Sequence, residues 1–213
     1  MTDSNPGARL AGVLLLSSLV AMVAAAAIVV PSGLTLNPSD PGAAMAAVSE
    51  QLGLHLSELA LDVLGWLALS AAGMVMAAGS AEAPRPHLVV LAGGLLAAAG
   101  LAGMLHDAGN LALTQLTAAP VAAAVLLTAK WMVNLAGLLW VAATIAAAAG
   151  VPMPARLRRA GAIAALFGLV AVVLPWTTGV EGPSVVMEQL GYAFHVPIIL
   201  WYGVLGWRCL RGK

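Results

Sequence analysis

The sequence predicts an all-α, polytopic integral membrane protein: one domain over residues 1–213, built as a bundle of six transmembrane helices with both termini cytoplasmic. Three observations predict it. Hydrophobic residues make up 62% of the chain and charged residues 8%, with a mean hydropathy of +0.98. A soluble domain carries roughly a quarter charged residues, so this chain could not cover its surface against water. The apolar residues fall into six spans at about 10–30, 58–79, 87–106, 120–150, 158–177 and 184–207, each long enough to cross a hydrocarbon layer of ~30 Å as a helix. Finally, with six spans and both termini on one side, Arg9, Arg85, Arg156, Arg158, Arg159, Arg208, Arg211 and Lys213 all fall on the side of the membrane where the N-terminus lies. The opposite loops hold Asp40, Glu50, Asp107 and Glu181 and no basic residue. Short cytoplasmic loops gather Lys and Arg, which makes the basic side cytoplasmic and a bacterial inner membrane the expected setting.

The first span follows Arg9 and ends at Pro31; it exceeds the ~7–15-residue core of a signal peptide and is expected to be retained. Residues 32–40 carry Gly, Asn, Pro and Ser and read as a loop. Asp40-Pro41 fits a helix N-cap followed by proline at the first helical position. A helix running unbroken from there to Gly79 would be roughly 58 Å long, so its first part lies outside the membrane or along it, or the helix breaks at Gly53. His87 opens the third span, which ends near His106; Asp107 and Asn110 are read as leading into a turn before Pro120. The fourth apolar stretch is interrupted only by Lys130 and Asn134. A basic loop, Arg156 to Arg159, leads into the fifth span, and the sixth ends at Arg208. Gly93, Gly94, Gly100 and Gly103 in the third span allow close helix contact. Trp176 and Trp207 fall at interfaces as anchors, whereas Trp66 and Trp140 lie deeper as packing residues.

Ionisable residues inside spans are costly and face a protein interior or a watery cavity, so they mark the candidate site. His55, Glu58 and Asp62 lie along one helical stripe at i, i+3 and i+7, with Glu50 outside the membrane and His55 at the rim. Glu188, Tyr192 and His195 repeat the spacing on the sixth span. At 1.5 Å per residue, Asp62, His106, Lys130, Asn134 and Glu188 all fall roughly 24–30 Å from the cytoplasmic face, with His195 deeper. Spans two, three, four and six therefore line a pocket open to the extracytoplasmic side. Lys130 is the one basic residue inside a span. A lone ammonium there costs about 2.5–3.5 kcal/mol, so it requires a carboxylate, with Asp62 the first choice and Glu58 the second. Pro197 removes a backbone hydrogen bond inside the sixth span and marks a kink. An internal echo, Glu50-Gln51-Leu52-Gly53 against Glu188-Gln189-Leu190-Gly191, allows a duplicated helical hairpin.

Arg9-Leu10-Ala11-Gly12 before the first span and Pro154-Ala155-Arg156-Leu157 before the fifth, with the six-span layout, resemble an uncharacterised, domain-of-unknown-function family of six-span bacterial membrane proteins. The resemblance implies no activity.

Three function classes stay open. The first is binding or transport of a small solute or ion, with Glu58, Asp62, Lys130, Asn134, Glu188, Tyr192 and His195 as binding or coupling groups. The second is a haem- or metal-binding redox protein using His55, His106 and His195, although no spacing among them is a metal motif. The third is a non-catalytic membrane subunit or assembly factor that binds a membrane-protein partner. The net charge of zero gives no reason to expect nucleic acid. The single cysteine, Cys209, excludes an internal disulfide. No phosphate loop, dinucleotide turn, serine elbow or zinc-protease helix is present. The cofactor and the choice between enzyme and non-enzyme are not set by the sequence.

Overall fold

A computed structural model describes residues 6–177 and 182–212; Glu181 and Lys213, two of the charges used above for orientation, lie outside them. The described residues are helical, with no strand, and include six helices long and apolar enough to cross a membrane. The elements are α1 (Pro6–Ser32), α2 (Pro41–Glu50), α3 (Leu52–Ala78), α4 (Pro86–Ala112), α5 (Ala119–Gly150), α6 (Ala155–Val173) and α7 (Val185–Arg211). Short 3-10 turns extend α4 to Gln115 and α6 to Thr177.

Helix ends follow local chemistry. Pro31 does not close α1, because proline near a C-terminus removes only one intrahelical bond; the helix ends one residue later, where Gly33 takes φ 74°. Asp40 caps α2 as expected, its carboxylate accepting the Ala43 N–H at 2.9 Å. The break after α2 falls at Gln51 and not at Gly53. Gln51 leaves helical geometry, and its side chain donates to the Ser32 carbonyl at 3.1 Å, tying the break to the end of α1. The third span is longer than expected: His106, Asp107 and Asn110 lie within α4, buried, with His106 bonded to the Ala129 carbonyl of α5 and to Asn110. α7 runs unbroken through Pro197 and continues to Arg211, closing on Gly212 at φ 63°.

The six long helices form a closed ring. Each packs on its chain neighbours, in the order α1, α3, α4, α5, α6 and α7, and α7 closes against α1. Close approach at the seams needs small residues. A Cβ on Gly12 would lie 2.6 Å from the Gly206 carbonyl oxygen across the α1–α7 seam. Gly93 meets the α3 backbone at Gly73, and Gly103 lies under the Trp66 indole, whereas Gly94 faces open space. Leucines and valines such as Val20, Leu64, Leu101 and Leu166 point outward, as a hydrocarbon surroundings demands.

Seven basic residues, Arg9, Arg85, Arg156, Arg158, Arg159, Arg208 and Arg211, sit at the ring end where α1 begins. At the other end α5, at 32 residues about 48 Å long, outruns the hydrocarbon layer. α2 packs beside its protruding start, burying Ala44 and Val48 with Leu36, Leu113, Ala122 and Leu126. Midway through the ring, aromatic rings form a layer. Trp66 meets Trp140 edge-on at 5.8 Å, Trp140 lies 5.9 Å from Tyr202, and Tyr202 meets Trp201 at 4.9 Å.

Candidate functional site

Above the aromatic layer, in the half of the ring away from the arginines, lies a cavity of about 430 Å³. Its floor is Trp66 and Trp140. Its walls include Glu58, Asp62, His106, Asp107, Lys130, Asn134, Glu188, Tyr192 and His195. The residues picked out on α3, α4, α5 and α7 therefore converge on one space. The sequence reading missed α1, whose Met22, Ala26 and Val30 complete the wall. A purely apolar helix carries no polar signal to mark which face it turns inward.

Lys130 pairs with Glu188 and not with Asp62 or Glu58. The reason is reach. Lys130 sits about three turns into the overlong α5, close to the level of the first turn of α7, where Glu188 lies. Both partners are buried. Glu188 also accepts from Asn37 Nδ2 and from the Tyr192 hydroxyl, each at 3.2 Å. Asn37 donates as well to the Pro183 carbonyl at 2.8 Å. The residue 33–40 loop is thus tied to the start of α7, and its own Leu34 and Leu36 are buried and line the cavity.

His55 is no rim residue. It is fully buried, with Nδ1 2.9 Å from Glu58 Oε1 and Nε2 3.3 Å from the Asn110 carbonyl oxygen, bridging α3 to α4. It does not line the cavity; its neighbour Glu58 does. His106 Nδ1 donates to the Ala129 carbonyl at 2.9 Å, while its Nε2 accepts from Asn110 Nδ2 at 3.1 Å. Of the ring nitrogens, His55 Nε2 and His106 Nδ1 lie against carbonyls of a neighbouring helix, while His55 Nδ1 and His106 Nε2 lie against Glu58 and Asn110 of their own helices. His195 stands apart, beside Gly137, whose missing Cβ makes room for the ring, and 6.4 Å from Trp140. Among the described residues no group of three or more His, Cys, Asp or Glu is placed to hold a metal ion.

Asn134 lines the cavity and also holds two helices together. Its Nδ2 donates to the Val172 carbonyl at 2.8 Å and its Oδ1 accepts from Trp176 Nε1 at 2.9 Å. The side chain clamps the frayed end of α6 to α5, with both ends of its amide engaged. Trp176 is half exposed, and Trp207 carries the Arg211 guanidinium 4.4 Å from its ring. The echoed glutamates are not equivalent: Glu50 is exposed at the end of α2, whereas Glu188 is the buried partner of Lys130.

Asp107 was read as a loop acid and is instead a wall of the cavity. It is 2% exposed, and its carboxyl oxygens receive no bond from an N–H or hydroxyl group, the Asp62 carboxyl being their side-chain hydrogen-bonding neighbour. Its carboxyl group faces that of Asp62, which accepts one bond, from Trp66 Nε1 at 3.3 Å. Asn110 Oδ1 and Trp140 Nε1 are likewise buried without a partner. The chain matches no protein-family model, no curated protein and no solved structure.

Proposed function

We propose that this protein binds a small solute or ion in the ring cavity and carries it across, or senses it at, the membrane. The observation that supports this most is the cavity itself. A space of about 430 Å³ inside a membrane-type ring, walled by a buried ion pair and by a carboxyl group with no donor, suits a ligand and is costly without one. Burying charge that stabilises nothing is poor economy for a fold, and replacing a buried ion pair with apolar side chains is often neutral or stabilising. In this reading Glu58, Asp62 and Asp107 on one wall face Lys130 and Glu188 on the other, and Tyr192 and His195 border the entrance and the floor.

The clustering of arginines at the ring end where α1 begins supports cytoplasmic termini and a cavity that opens to the extracytoplasmic side of a bacterial cell membrane. Alkaline phosphatase fused after Arg211 is expected to be inactive, and fused within residues 33–40 to be active; the reverse pattern would invert the orientation.

Solute binding is tested by thermal unfolding of purified protein in detergent against a panel of small solutes. A cavity ligand raises the wild-type midpoint and fails to raise that of Ala26→Trp, whose indole would fill part of the space. Solutes that stabilise both proteins equally would place binding elsewhere and refute the reading.

A further inference from the structure

We infer that the ligand of this cavity is a small organic cation, an ammonium on an apolar body, held by Asp62 and Asp107 above the indoles of Trp66 and Trp140. The inference rests on the ligand-binding reading and adds the chemical class. Four carboxyl groups, Glu58, Asp62, Asp107 and Glu188, line the cavity against one lysine. Glu188 is taken by Lys130, and Glu58 lies 2.9 Å from the His55 ring. That leaves Asp62 and Asp107.

Hydrogen-bonding supply points the same way. The unpartnered acceptors on this wall are both oxygens of Asp107 and Oδ1 of Asn110. Asp62 has one indole donor. His106 offers nothing further, since both its nitrogens are engaged. Among the described residues, the buried unpartnered atoms on the α3–α4 wall are acceptors and the unpartnered donor of the cavity is the Trp140 indole N–H on its floor, so an ammonium, which has donors and no acceptor, complements the wall. An anion would face three acids, whereas an ammonium can donate to both of the adjoining carboxyl groups.

The rest of the cavity specifies the body of the ligand. Aliphatic side chains of α1 and the residue 33–40 loop, among them Val23, Val30 and Leu36, form the opposite wall. Aromatic rings attract cations over their faces, and Trp66 and Trp140 form the floor directly beside Asp62. A bare metal ion would want several convergent oxygens, and the described residues provide no such group. The volume lies within the roughly 300–1,000 Å³ usual for small-molecule pockets.

Titration of purified protein with 2-phenylethylammonium, 2-phenylethanol, phenylacetate and sodium chloride, followed by tryptophan fluorescence, tests this directly. The ammonium is expected to bind saturably at least tenfold more tightly than the alcohol or the carboxylate. Asp107→Asn and Asp62→Asn should each weaken it at least tenfold while preserving the thermal midpoint, and Glu82→Gln, at the arginine end, should leave it unchanged. If Asp107→Asn fails to fold, Asp62→Asn decides. Equal binding of alcohol and ammonium, or a saturable response to sodium alone that either variant abolishes, would overturn the organic-cation inference and leave the ligand-binding reading standing. No saturable response to any probe would count against both.

Discussion

Removing one half of the Lys130–Glu188 pair gives a prediction whose sign and order the structure fixes. Breaking a buried ion pair by deleting one partner costs about 3–5 kcal/mol, because the other charge stays buried. For a chain of this size that corresponds to about 6–20 °C in the unfolding midpoint. The two deletions are unequal. Lys130→Met leaves the Glu188 carboxylate with two donors, Asn37 and Tyr192, and hydrogen bonds to a charged group are worth about 1.5–3 kcal/mol each. Glu188→Leu leaves the ammonium with no other hydrogen-bond acceptor among those described, while Asn37 keeps the Pro183 carbonyl. Glu188→Leu is therefore expected to be the more damaging, and Lys130→Met/Glu188→Leu to recover most of the loss. Tryptophan fluorescence or light scattering during heating in detergent reads all four proteins. Additive losses in the double variant, or Lys130→Met falling further than Glu188→Leu, would refute the reasoning.

The remaining expectations concern the ring and its histidines. Gly12→Ala pushes a methyl into the Gly206 carbonyl and is expected to lower stability by about 1–3 kcal/mol; an unchanged midpoint would mean that α1 and α7 do not close the ring. His55→Phe removes the bridge from Glu58 to the Asn110 carbonyl and should cost about 1–3 kcal/mol, leaving an unpaired buried carboxyl; a neutral effect in the same heating assay would contradict that. Asn134→Leu releases both Val172 and Trp176 and should raise hydrogen exchange at the end of α6 without weakening 2-phenylethylammonium binding; lost binding at unchanged exchange would make Asn134 a ligand contact. The purified protein should show no Soret band, and a band abolished by both His55→Ala and His106→Ala would restore the haem reading.

Much of the architecture was legible because apolar runs must match the bilayer, and six such runs leave few alternatives. The Asp40 cap was legible because an acid before proline at a helix start has a specific hydrogen-bonding use. Other features needed the third dimension. His106, Asp107 and Asn110 look in one dimension like the edge of a loop, yet a ring interior supplies partners that let α4 continue through them. The partner of Lys130 could not be read from depth alone, because α5 outruns the membrane and its register was unanchored until α2 and α7 fixed it. Helical spacing put Glu58 and Asp62 on one wall, but depth along the span placed His55 at the rim, and only the packing of α4 shows its ring turned into the α3–α4 seam. Asp107 became the most telling acid only once its lack of donors was visible.

Thiol labelling tests the central claim most directly, because Cys209 is the only cysteine and can be replaced. Val29, on the α1 wall of the cavity, is changed to cysteine in a Cys209→Ser background. Intact cells are then treated with a membrane-impermeant, trimethylammonium-bearing methanethiosulfonate. A cavity open to the outer side and suited to cations predicts labelling in intact cells, slowed by 2-phenylethylammonium and not by phenylacetate. Labelling only in inverted vesicles, or labelling that no cation slows, would contradict it.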